Sequence, residues 1–116
     1  MLRLLLIFLL PFVSMQAASP SLRTLFNTLD PDSLVQQMAF YELYPETKEG
    51  QEALARAWKL LSRNQEALPE HFALPKLEIE AIVSLVTRQA SDPSIELANE
   101  QLELIDRLAH HFANRS

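Results

Sequence analysis

The stretch FYELYPETKEGQEALARAWKLL, residues 40–61, decides how the chain is read. Three aromatic residues stand beside Pro45, the sole glycine follows at position 50, and alanine and leucine then dominate. Proline has no N–H to donate and disfavours helix at the residue before it, so a helix running through Phe40 should stop near Tyr44. Thr47 can start the next one. Its hydroxyl can accept from a backbone N–H two or three residues on, while Glu46 and Glu49 place negative charge near the positive end of the helix dipole. Gly50 falls in that first turn, where its helix penalty is small. A phosphate-cradling loop needs several glycines and usually a Lys followed by Ser or Thr. This stretch has neither, so it reads as a joint between two helices.

The same logic extends outward. One glycine and seven prolines in a chain rich in Leu, Ala, Glu and Gln favour helices with proline punctuation. Ser19-Pro20, Asp30-Pro31 and Asp92-Pro93 each set a capping side chain before a proline suited to a first helical turn. Helices are predicted over 20–29, 31–44, 48–63, 76–90 and 93–113. In the last, Ile95, Ala98, Leu102, Ile105, Ala109 and Phe112 mark one helical face, widened by Leu104 and Leu108. The third offers Ala53, Leu54, Ala57, Trp58, Leu60 and Leu61, and the fourth Leu77, Ile79, Ile82, Val83 and Val86. No long segment alternates as a half-buried strand would. The expected fold is all-α: four or five helices packed as antiparallel hairpins in a single domain, residues 19–116.

Residues 1–18 read as a secretory signal peptide: Arg3, an apolar run from Leu4 to Val13, then Ser14 to Ala18. The run is short of the roughly 20 residues that span a bilayer, and Pro11 interrupts it, so cleavage rather than a stable membrane span is expected. The predicted location is therefore outside the cytoplasm, periplasmic or secreted. Cysteine is absent, which excludes disulfides, thiol nucleophiles and cysteine-held zinc. The formal charge of −5 becomes one unit more negative when Arg3 is removed, and no Lys/Arg cluster is evident in the sequence. Nucleic acid is not an expected partner.

Tyr-Pro-x-Thr before an Ala/Leu-rich helix resembles the helix-pair junction of tetratricopeptide-like exported proteins. Tyr44, Pro45, Thr47 and Ala53 carry the likeness, with Tyr44 and Ala53 at the spacing of the consensus Tyr and Ala. Tyr41 departs from it, standing where the repeat wants a small residue. A second register pairs Leu34 with Ile79, Met38 with Val83, Tyr41 with Val86, Ala53 with Ala98 and Ala57 with Leu102. Residues 38–61 behind a signal peptide are also similar to the helical leader region of uncharacterised exported proteins of chlamydial type. That resemblance implies a leader preceding a further domain, transglutaminase-like in some, whose catalytic residues this chain does not carry.

Few side chains suggest chemistry. His71 lies between Pro69 and Pro75 and reads as an exposed loop histidine. His110 and His111 are adjacent on a helix and point about 100° apart, so they cannot readily share one ion. His110 could join Asp106 and Glu103 on one face, but the Glu-x-x-His motif of bundle metal sites is missing. Gly-x-Ser-x-Gly and Ser-x-x-Lys are missing too, and Ser19, Ser33, Ser91 and Ser94 suit caps or first turns. Glu78 and Glu80 fall on different sides of a helix, which gives no acid–base pair. The sequence thus predicts no catalytic residue, no metal site and no cofactor. Phe40, Tyr41, Tyr44 and Trp58 are the candidate lining of an interaction groove, although helical stripes of this kind usually face the core. The expected role is a non-catalytic interaction or scaffold domain with a protein partner. The alternative is a helical portion of a longer secreted enzyme.

Overall fold

The computed structural model describes residues 21–114, and the signal segment and the Ser19-Pro20 cap fall outside them. Five α-helices make up the described fold: α1 (Leu22–Asn27), α2 (Leu34–Leu43), α3 (Lys48–Arg63), α4 (Lys76–Ser91) and α5 (Asn99–Ala113). Two single 3-10 turns, Gln65–Ala67 and Glu70–Phe72, link α3 to α4. No strand occurs among the described residues, so the all-α reading holds.

The joint between α2 and α3 forms where the sequence places it. Tyr44 leaves helical geometry and Thr47 opens α3, its Oγ1 accepting from Gly50 N–H at 2.9 Å. The same hydroxyl donates to the Tyr44 carbonyl at 2.8 Å, which locks the two helix ends together. Gly50 has a role beyond low helix penalty. A Cβ there would overlap the Tyr44 carbonyl oxygen and come within 2.9 Å of its carbon, so only glycine lets the chain close this tightly.

The two Asp-Pro pairs work differently from expectation. Asp30 Oδ1 accepts from Asp32 N–H and Asp92 Oδ1 from Ser94 N–H and hydroxyl, so both aspartates form side-chain turns instead of helix caps. Each is closed by a backbone bond, Ser33 N–H to Asp30 O and Ile95 N–H to Asp92 O. The bonds from Ser94 hold the Asp92 carboxyl below its usual range. α2 therefore begins at Leu34, capped by Ser33, and α1 at Leu22, capped by Ser21. α5 begins only at Asn99. The delay lets Leu97 reach the core in extended chain while leaving Ala98 exposed. Ala98 has no side-chain oxygen, so α5 keeps only the reverse half of a capping box, Gln101 Oε1 accepting from Ala98 N–H.

α3 is the central element. It packs against α2 on one side and α4 on the other, with α1 laid across it, and α2 also carries α5. α5 runs antiparallel beside α2, with Pro45 near Leu102 and Leu34 near Phe112. It does not pair closely with α4, so α4 and α5, although neighbours in sequence, form no hairpin with each other. The second sequence register fails for the same reason: Ala53 and Ala57 are buried, whereas their counterparts Ala98 and Leu102 are exposed. Leu77, expected on the inward face of α4, is 80% exposed.

Trp58, Leu54 and Leu61 of α3 meet Met38, Ile79, Ile82, Ile105 and Leu108 in the main core. A second cluster joins Phe26, Phe40 and Ala53 under α1. Arg23 and Arg56 lie over the Phe26 ring at 5.1 and 4.4 Å. Arg23 also holds α1 to α3 through Glu52, at 2.6 Å, and Glu49, at 3.3 Å. The bond to Glu52 raises the Arg23 pKa and lowers that of Glu52.

Candidate functional site

The four aromatic residues expected to line one groove do not do so. Trp58 is fully enclosed in the main core, and its indole N–H has no partner among the described residues. Phe40 belongs to the second cluster, its ring centroid 5.6 Å from Phe26 and 5.0 Å from Tyr44. Tyr44 is half-buried against that cluster. The helical stripe turns these rings inward, which is its usual effect. Tyr41 alone retains an edge at a surface cavity.

That cavity is a groove of about 440 Å³ between the α2–α3 joint and α5. Tyr41, Pro45, Leu102 and Ala109 give it an apolar lining, and Glu42, Glu46 and Asp106 supply carboxylates. Tyr41 donates its hydroxyl to Asp106 Oδ1 at 3.0 Å. Burial, reinforced by the Asp106 charge, pushes the phenol well above its usual pKa. Gln51 braces the rim by donating to the Pro45 carbonyl at 2.6 Å. Leu102 is 37% exposed, so part of a large apolar side chain is open to solvent beside these carboxylates. Leu102 and Asp106 occupy successive turns of α5 and meet Pro45 and Glu46 only because α5 returns to α2. The sequence marked Leu102 as helix stripe alone and Asp106 only as a companion of His110, so neither was expected at this groove.

The histidines form a second feature on the adjoining face of α5. His71 is exposed as expected, and the turn Glu70–Phe72 carries it to within 6.0 Å of the His111 ring, centroid to centroid. Phe72 meets His111 edge-on at 5.9 Å, and Arg107 covers Phe72 at 5.2 Å. Glu103, Asp106 and His110 share one face as the spacing predicts and border, with His71 and His111, a second cavity separate from the α2–α5 groove. Asp106 is engaged by Tyr41, however, and His110 Nδ1 lies 3.0 Å from Glu42 Oε2. No cluster of three or more His, Asp or Glu among the described residues has the arrangement of a metal site.

The cations also gather in space where the sequence shows no run. Lys48, Arg56 and Lys59 of α3 border one groove with Thr87 and Ser91 of α4. These cations come from successive turns along one side of α3, together with Glu52. No helix among the described residues is long and apolar enough to cross a membrane. No known protein family, curated protein or solved structure matches the chain.

Proposed function

We propose that this chain is an exported, non-catalytic helical interaction domain that docks a basic, leucine-bearing protein segment in the groove between α2 and α5. The observation that carries the reading is the exposed Leu102 set among Glu42, Glu46 and Asp106 beside the apolar edge of Tyr41. An apolar anchor would fill the floor, and flanking Lys or Arg would meet the carboxylates, which give register and speed of encounter more than affinity. The acidic balance of the whole chain favours the same partner chemistry. Export rests on residues 1–18, so the protein recovered from its host should begin near Ser19; an intact Met1 on a cytoplasmic product would remove that part of the proposal.

The groove is tested by calorimetric titration with an amphipathic peptide of alternating Leu and Lys, beside its Leu/Glu counterpart. Binding should be confined to the basic peptide and weaken with salt. Glu46→Lys and Leu102→Glu should each reduce affinity at least about tenfold, the loss expected when a central anchor is removed. Equal binding of both peptides, or full affinity in both variants, rejects the groove.

A further inference from the structure

We infer that the groove between α3 and α4 is a binding site for a small ligand carrying at least two oxyanion groups of the phosphate or sulfate ester class. It is distinct from the α2–α5 groove and encloses about 490 Å³, within the range of small-molecule sites. No carboxylate among the described residues lies within ion-pair distance of Lys48, Arg56 or Lys59, although the Glu52 charge acts on Lys48 and Arg56 across the groove. Glu52 also lines the groove but is bound by the Arg23 guanidinium through both carboxylate oxygens. Arg56 Cζ lies over the Phe26 ring, a contact that restrains the guanidinium, and no acceptor among the described residues takes its N–H groups by a hydrogen bond.

The opposite wall supplies hydroxyls. Thr87 and Ser91 stand one turn apart on α4 and border the groove. Thr87 Oγ1 is shielded from solvent and has no hydrogen-bond partner among the described residues, an uncommon condition for a buried hydroxyl. A turn of the Thr87 side chain about χ1 would bring this hydroxyl to a ligand oxygen in the groove. Lys48 and Lys59 are separated by about 16 Å along the α3 axis at the rise of an α-helix, so one oxyanion meets both only if both side chains extend fully toward it. Arg56 and Lys59, neighbours on the helix surface, therefore form one subsite, and Lys48 with Ser91 forms the other. Tetrahedral oxyanions suit this set because each offers several acceptor oxygens to ammonium, guanidinium and hydroxyl donors.

The test is a calorimetric titration of the purified protein with sodium tripolyphosphate at low ionic strength, beside orthophosphate. Tripolyphosphate should bind at one saturable site at least about tenfold more tightly, because it reaches both subsites, and the affinity should fall with added salt. Lys48→Ala with Lys59→Ala should weaken binding at least tenfold. Thr87→Val keeps the side-chain shape, and should weaken binding severalfold while leaving the melting temperature unchanged or raised. Sedimentation with phosphoinositide vesicles, competed by tripolyphosphate, would assign the oxyanion to a lipid headgroup; binding of the free anion without vesicle capture would assign it to a soluble ester. Each result supports the site. Absence of saturable binding, full affinity in the double-lysine variant, or a Thr87→Val variant that binds as well as the parent overturns it.

Discussion

Gly50 sits under the Tyr44 carbonyl at the point where the chain turns from α2 into α3. Alanine is the better helix former, so propensity alone predicts that Gly50→Ala stabilises α3. Contact predicts the opposite, because the new methyl meets backbone that cannot swing aside. We expect Gly50→Ala to cost about 1–3 kcal/mol, as overpacking does, measured by urea unfolding. A gain in stability would show that the joint opens without penalty. Thr47→Ala should cost about 1 kcal/mol through the lost cap, and Thr47→Ser should restore most of it by keeping both hydrogen bonds of the hydroxyl. Trp58→Ala should cost about 3–5 kcal/mol, since the whole side chain lies in the main core.

Between elements, the Tyr41 hydroxyl is a polar tie from α2 to α5, more buried than the other, the Glu42–His110 contact. Its folded pKa is raised above the unfolded value, so the protonated phenol is the form the fold favours. The resulting stability is present in full below about pH 10 and declines as pH rises through the raised folded value. Denaturant melts between pH 8 and about 11 should show a steeper alkaline loss in the parent than in Tyr41→Phe. Parallel pH profiles would mean that the phenol titrates freely. The histidines divide in a similar way. His110 is exposed, and His110→Gln should change stability by under about 0.5 kcal/mol. His111→Ala should cost about 1 kcal/mol because its ring packs on Phe72 and holds the turn Glu70–Phe72 against α5. The end of α2 and the Thr47 cap were legible in the sequence because proline sterics and capping act within a few residues. The tight approach at Gly50 was not, since it depends on how two helices meet. Asp30-Pro31 and Asp92-Pro93 fit either a cap or a side-chain turn locally, and the burial of Leu97 favours the turn before α5. The aromatic stripe was visible, but the identity of the groove depended on α5 crossing to α2, which no local pattern encodes. The same crossing brings His71 to His111.

At the scale of the whole molecule, α3 touches α1, α2 and α4, so the domain is organised around one helix. Its two hairpin partnerships join neighbours in sequence, whereas α5 must return across α3 and α4 to reach α2. Closing that longer loop costs more chain entropy before any contact rewards it. The arrangement therefore separates early from late folding events: α2, α3 and α4 should form the transition-state nucleus, with α5 docking after the barrier. Conservative truncations at Leu54 or Leu61 should slow folding, while Ile105→Val should mainly speed unfolding. Stopped-flow chevrons would display the difference as a shift in one limb or the other. A slowed folding limb for Ile105→Val would place α5 in the nucleus instead. With α5 as the last element on, its departure is the first step off, so the lifetime of the native state, and with it resistance to proteolysis, is set by the grip of Ile105, Leu108 and Phe112 on α2 and the core.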